Sequence, residues 1–336
     1  VKKAYLTEIG KMEVKEEPVP EIGKNEVLVK VKYAGICGSD LHYYRNGGLG
    51  SFKKELPLSL GHEISGVIED PNDIPGVQKG DRVAIEPRLH CGYCYFCRSG
   101  RENLCMNRRF IGADLPGGMA EYINVHATQI VKLHDKMSLK AGVMLEPMTI
   151  AMHAIDRANP ELGAKVAVIG QGTIGILIAK LSNYYGSEIL WVADKDKDRT
   201  TRGMMHTGAQ YGLDDAWTGK KSDRFASVVY EAVGKQETID RAFEYARSGA
   251  KVVLVGIPEV DYIQYNPHLM RIKELDVINV RNSNVPLQDA MFFYLARGID
   301  LESLVTHEFE IDRVNDAFAV ASSYNMGNIK TVLVFD

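Results

Sequence analysis

The segment around residue 170 constrains this chain most. Val166-Ala167-Val168-Ile169 is an apolar run of strand length, and Gly170-Gln171-Gly172-Thr173-Ile174-Gly175 follows it and opens a helical stretch, Ile174–Tyr185. A G-x-G-x-x-G pattern means little by itself, but between a buried strand and a helix it has a mechanism. Gly170 permits a tight turn, Gly172 lets the backbone approach a pyrophosphate, and Gly175 lets helix and strand pack closely. The first helical turn, Thr173 and Ile174 included, offers unpaired N–H groups and the positive end of the helix dipole to phosphates. Asp194 ends the next strand, Ile189–Ala193, nineteen residues after Gly175. An acid there accepts hydrogen bonds from the adenosine ribose and repels a 2′-phosphate, which favours NAD over NADP. Lys195 and Arg199 follow closely and weaken that preference, and Arg199 joins the cofactor-binding candidates.

Strands and helices keep alternating beyond this point. Strands are expected at Val228–Glu231, Val252–Val255 and Asp276–Val280, with a helix at Gln236–Arg247. Such alternation implies a parallel sheet, doubly wound with helices on both faces. The first 135 residues read differently. Val27, Val29 and Val31 alternate with Lys30 and Lys32, the period of a half-buried strand. Gly47-Gly48, Pro57, Pro75-Gly76 and Pro116-Gly117-Gly118 punctuate a mainly β domain with short helices. A helix over 139–157 joins the two styles. Helices at Pro286–Arg297 and Val314–Ser323 and a strand at Lys330–Phe335 form a tail able to return to the first domain. The expected organisation is α/β overall: a mainly β domain at 1–148, a dinucleotide-binding domain at 149–285 and a returning segment at 286–336.

The 336 residues suit two domains better than one core. A net charge of −4, with no basic stripe, argues against nucleic-acid or anionic-membrane partners. The N-terminal VKKAYLTEIG reads as strand and not as an export signal, and no apolar run reaches the length of a membrane span. A cytoplasmic location is the expectation.

Cysteine usage sharpens the chemistry. Of five cysteines, four fall in the run Cys91-x2-Cys94-x2-Cys97-x7-Cys105. An odd count without an export signal argues for metal or catalytic thiols over disulfides. Four thiolates complete a tetrahedral zinc shell with no open position, so this zinc would be structural, with an iron–sulfur cluster as the main rival. Arg98, Arg101, Arg108 and Arg109 are placed to offset the negative charge of such a centre.

The fifth cysteine stands in Gly35-Ile36-Cys37-Gly38-Ser39-Asp40-Leu41-His42-Tyr43, with Gly61-His62-Glu63 twenty-five residues on and Leu145-Glu146-Pro147 beyond. A catalytic zinc takes three protein ligands and keeps one place open. Cys37 and His62 supply two, and the third is Glu63 or Glu146. Each residue alone has a plainer reading, as a core histidine, a small buried hydrophobe or a helix-surface acid. Their company with a dinucleotide turn and a four-cysteine lobe favours the catalytic one.

These stretches, AGICGSDLHYYRNGGLGSF, LGHEISG, GDRVAIEP, the cysteine lobe, MLEP and GQGTIG, resemble the zinc-containing medium-chain dehydrogenase family along essentially the whole chain. The sorbitol (iditol)/L-idonate dehydrogenase-like branch is the most similar. The resemblance implies a GroES-like catalytic domain, a Rossmann domain, and two zinc ions per chain, one catalytic and one structural. Cys37 and His62 match catalytic zinc ligands. Glu146 matches the carboxylate that takes the third place in the polyol branch, and Glu63 an acid that is a ligand in some members. Asp40 matches an acid that orients the zinc histidine. Ser39 and His42 match the family's proton relay, Tyr43 a substrate-pocket aromatic, and Arg281 with Asn282 a region near the polyol pocket.

The expected reaction is reversible oxidation of a secondary hydroxyl of a polyol or sugar-derived substrate to a ketone, with hydride passing to NAD. Excluding water from that step calls for a cleft between the domains. Tyr44, Arg45 and Asn46 stand as either pocket or surface residues. A threonine-type or sugar-phosphate dehydrogenase of the same family is the nearest alternative. A catalytically silent zinc- and NAD-binding protein is the alternative of another class. The Asp276–Val280 edge strand, and the habit of the family, suggest a homodimer or homotetramer.

Overall fold

The computed structural model describes residues 1–212, 224–323 and 327–336. The chain divides into two compact units, one of Val1–Thr149 with Asn284–Asp336 and the other of Ile150–Ser283.

The first unit is built on an antiparallel-rich sheet. Its strands lie in the order Ile130–Lys132, Arg82–Ile85, Glu63–Asp70, Glu26–Gly35, Lys330–Val334 and Val305–Glu310, with Tyr122–His126 also paired to Glu26–Gly35. Val27, Val29 and Val31 are fully buried, as their alternation predicts, and they pack with Ile64, Ile68, Val83, Ile85 and Leu333. Burying side chains of this size stabilises by about 1.5–3 kcal/mol each, which fixes the register of the central strand. That register places Gly35 opposite Glu63 on one side and Val332 on the other. The last strand of the chain therefore lies beside the strand that leads into Cys37.

Two helices of this unit matter for chemistry. Gly38–Asn46 begins immediately after Cys37, which is its N-cap residue. This helix does not stand out in the sequence, because GSDLHYYRN has no apolar stripe. The expected helix over 139–157 is two helices, Leu139–Gly142 and Leu145–Ala158. Pro147 falls in the first turn of the second, where its missing N–H costs nothing. The break at Val143–Met144 thus places Glu146 at a helix start.

The second unit holds a six-stranded parallel sheet in the order Tyr211–Gly212, Glu188–Ala193, Lys165–Ile169, Ala226–Glu231, Ala246–Leu254 and Asp276–Asn279. Strand order reverses direction between Lys165–Ile169 and Ala226–Glu231, and ligands of such sheets bind outside the strand C-termini at that point. The glycine-rich turn leaves Lys165–Ile169 there and enters the helix Thr173–Tyr184. A Cβ on Gly175 would lie 1.7 Å from the Gly170 carbonyl oxygen, so only glycine permits this approach. The expected helix Gln236–Arg247 ends at Tyr245, because Ala246 already belongs to the following strand. A helix not foreseen, Lys197–Thr207, starts on Asp196, whose carboxylate accepts from the Arg199 N–H. No helix among the described residues is long and apolar enough to cross a membrane.

Candidate active site

Three neighbouring strand ends bring the reactive residues together in the first unit. Cys37 follows the central strand, His62 immediately precedes and Glu63 begins the strand beside it, and Lys330 begins the strand on its other side. The Cys37 thiol, the His62 ring and the Glu63 carboxylate offer ligand atoms that all lie within 4.8 Å of one another. Asp40 fixes this arrangement. It is 1% exposed. Its carboxylate accepts the N–H of Cys37 at 2.9 Å and that of Gly61 at 3.3 Å, and it lies 3.6 Å from Nδ1 of His62. One acid thus ties the Cys37 turn to the His62 turn and aims the imidazole. Burial disfavours a charged His62, but Asp40 and Cys37 outweigh it and hold the imidazole well above its usual pKa. A soft thiolate, an imidazole and a carboxylate at this spacing form a donor set that fits zinc.

Lys330 is a candidate site residue that sequence reasoning missed. Its ammonium is buried, forms an ion pair with the Glu63 carboxylate and donates to the Ile36 carbonyl at 3.0 Å. Burial works against this cation, while Glu63 and Cys37 hold it charged. Nothing in its local sequence marks it, since only the sheet topology brings it to Glu63. Phe110 is a second addition. Its ring packs on His62 with centroids 5.1 Å apart, and the Arg108 guanidinium lies over the same ring, 5.2 Å from its centroid.

Glu146 is buried but falls outside the trio that shares the 4.8 Å limit. Burial pushes its carboxyl up to about 7; His62 and Lys330 oppose that shift, and Glu63 and Glu86 add to it. Ser39 and His42, both half-buried, lie three residues apart on the helix Gly38–Asn46 and so share a face. Tyr43 is buried in the core of this unit. Its neighbours turn elsewhere: Tyr44 stacks on Phe318 at 4.9 Å, and Arg45 donates to the Ser322 carbonyl at 2.9 Å. Arg281 is exposed in the second unit, and Asn282 beside it has φ +50°.

The four-cysteine lobe closes as its spacing requires. The thiols are free, with Cys94 and Cys97 sulfurs 3.5 Å apart, Cys105 and Cys91 3.6 Å, and Cys91 and Cys97 3.9 Å. These separations are far too long for a disulfide. Sulfurs bound tetrahedrally to one zinc would lie about 3.8 Å apart, given Zn–S bonds of about 2.3 Å. Burial opposes ionisation of Cys91, yet the N–H groups of Tyr93 and Cys94 bring its thiol down to about 6. Burial and the neighbouring Cys94 push Cys97 up to about 12. Without a cation the lobe cannot ionise all its thiols together, so metal binding must release protons. Of the nearby arginines, Arg101 lies over the rings of Tyr95 and Phe96.

At the dinucleotide turn of the second unit, Asp194 is engaged by the protein itself. Its carboxylate accepts the N–H of Gln171 at 2.8 Å and that of Asp196 at 3.1 Å, and the Arg199 guanidinium lies 3.9 Å away. Lys195 is exposed.

Residues 23–135 match the family model of the alcohol dehydrogenase GroES-like domain. The chain is 30% identical to the sorbitol dehydrogenase of Bacillus subtilis over 344 aligned positions, covering 99% of this chain and 97% of that protein. The chain belongs to the zinc-containing medium-chain dehydrogenase family, in its sorbitol dehydrogenase-like branch. Solved structures agree. The L-idonate 5-dehydrogenase of Escherichia coli K-12 superposes with a TM-score of 0.91 at 26% identity, covering 99% of this chain and 98% of that one. A zinc-binding dehydrogenase of Sinorhizobium meliloti, solved bound to NADP, gives 0.88 at 26% identity, covering 99% of both. The GroES-like and Rossmann folds inferred from the sequence are therefore those of this dehydrogenase.

Proposed function

We propose that this dehydrogenase oxidises a secondary hydroxyl of a polyol or sugar-derived alcohol to a ketone, reversibly, with NAD as hydride acceptor and one catalytic and one structural zinc per chain. The observation that carries the reading is the Cys37–His62–Glu63 trio clamped by Asp40. Relatives named for sorbitol, L-idonate and D-xylulose supply the substrate class. When bound, zinc stabilises the deprotonated form of a substrate hydroxyl, and NAD takes the hydride.

The chain's own residues do the rest. Cys37, His62 and one carboxylate hold the metal. Glu63 has its charge balanced by Lys330, which leaves Glu146 as the buried acid available to compensate the cation. The third ligand is thus Glu63, which shares the trio with Cys37 and His62, or Glu146, the buried acid not balanced by Lys330. Asp40 orients His62. Ser39 takes the proton of the substrate hydroxyl and passes it toward His42 along one helix face. Tyr43 closes the wall beside the reacting carbon. The first turn of Thr173–Tyr184 cradles the pyrophosphate, and Asp194 disfavours a 2′-phosphate. Arg199, so close to Asp194, limits that discrimination.

Initial rates with NAD and with NADP against polyols, aldonates, sugar phosphates and threonine test the assignment. Polyol or aldonate oxidation with NAD at least tenfold preferred over NADP is the expected result. Turnover confined to threonine or a sugar phosphate would overturn it.

A further inference from the structure

A buried carboxylate in the second unit has no part in the chemistry above. Glu231 ends the strand Ala226–Glu231 and is 0% exposed. It stands directly across the point where strand order reverses, paired in register with Ile169, the last residue before the glycine-rich turn. Oε1 accepts the N–H of Val233 and the N–H of Gly234, both at 2.8 Å, and lies 2.8 Å from the Thr238 hydroxyl. Its backbone carbonyl accepts the N–H groups of Val255 at 2.8 Å and Gly256 at 2.9 Å. One residue thus grips its own exit loop and the exit of the next strand.

That exit loop is a neighbour of the dinucleotide turn. Ala232 donates to the Ile169 carbonyl at 2.8 Å. A Cβ on Gly170 would meet Val233 Cγ2 at 2.7 Å and the Ala232 carbonyl group at 3.1 Å. On the far side, a Cβ on Gly256 would lie 2.2 Å from the Gly234 nitrogen. Three loops therefore stack backbone against backbone at the strand C-termini, with the Ala232–Gly234 loop in the middle. In sheets of this kind the crevice at the reversal point receives the dinucleotide. A loop held at this closeness has no side-chain slack, so its path follows where its two N–H groups are anchored.

We propose that Glu231 is a positioning residue for the cofactor: by anchoring the Val233 and Gly234 N–H groups it sets the wall of the dinucleotide crevice opposite Gly170. The inference rests on the dinucleotide-dependent reading given above. What the wall needs is an acceptor, not a charge. Burial pushes the Glu231 carboxyl up, against its donors Gly234, Thr238 and Val233. A neutral side chain of the same shape with an oxygen at Oε1 should serve equally.

Fluorescence titration of the zinc-loaded enzyme with NADH, without alcohol, tests this. Glu231→Met keeps the volume and removes the acceptor, leaving two buried N–H groups unpaired, and should weaken NADH binding about tenfold or more. Glu231→Gln keeps the acceptor and should stay within about threefold of the wild type. Zinc content and the KM for the alcohol at saturating cofactor should not change in either. A folded Glu231→Met protein with wild-type NADH affinity would overturn the inference. So would a Gln variant as weak as the Met variant, since charge would then be the requirement. If the Met variant does not fold, Thr238→Val decides, with about two- to fivefold weaker NADH binding expected and an unchanged affinity contradicting the proposal. Failure of the wild type to bind either NADH or NADPH would instead overturn the cofactor assignment itself.

Discussion

Glu63 and Lys330 form a buried pair whose members cannot be removed separately without consequence. A buried charge that loses its partner costs about 3–5 kcal/mol, whereas removing both members often costs little. Lys330→Met should therefore lower unfolding stability by about that amount, and Lys330→Met with Glu63→Gln should recover most of it. Denaturant unfolding of the metal-free proteins measures this, and equal stability of the single variant and the wild type would contradict the pairing. Glu146 gives a pH signature. In the metal-free fold its carboxyl is raised to about 7 by burial, above its value in an unfolded chain. Its contribution favours the fold below the ordinary glutamate range and is lost as pH rises through about 7. Stability of the metal-free protein should thus fall by a few kcal/mol between about pH 5 and pH 8, and Glu146→Gln should flatten that slope. A flat wild-type curve would contradict the assignment. Both groups show the limits of reading a site from the chain. Cys37, Asp40 and His62 stood out as candidates in local motifs. Lys330 did not, because its partnership with Glu63 exists only once the final strand lies against Glu26–Gly35.

Elements differed in how far sequence determined them. The strand Lys165–Ile169, its glycine turn and the helix after it were legible because each residue type there answers a steric demand. Gly175→Ala tests the sharpest one: the added methyl would meet the Gly170 oxygen, and NADH affinity should drop about tenfold or more. Unchanged affinity would remove the turn from the cofactor site. The cysteine lobe was legible from spacing alone, and its sulfur separations follow the tetrahedral expectation. The helix Gly38–Asn46 was not legible, since its polar sequence hides the period that would reveal it. Its start is set by the Cys37 N–H bonded to Asp40, a contact made by the same acid that lies beside His62. The continuous helix expected over 139–157 failed for a related reason. Apolar residues persist through Val143 and Met144, so periodicity could not show the break that starts a new helix at Leu145.

For the whole molecule, the edge of the parallel sheet predicts assembly. The strand Asp276–Asn279 lies at that edge and is largely exposed, with Val277 at 39%. Such an edge invites pairing with a second copy, and we propose a homodimer or homotetramer formed through it. Light scattering after size exclusion should give at least twice the mass of one chain, and Val277→Pro should shift it toward the monomer. A monomeric wild type would contradict this. The two compact units match the two sequence styles, and the closing strand Lys330–Val334 joins the chain's end to the sheet of the first unit beside Glu26–Gly35. The central claim is that a metal held by Cys37 and His62 carries the reaction, separate from a metal in the cysteine lobe. Counting zinc per chain in the wild type and in Cys37→Ser, alongside polyol oxidation with NAD, tests it most directly. The expected result is about two zinc ions and full turnover in the wild type, against about one zinc and no turnover in the variant. Full turnover by a Cys37→Ser protein that retains only the lobe zinc would contradict it.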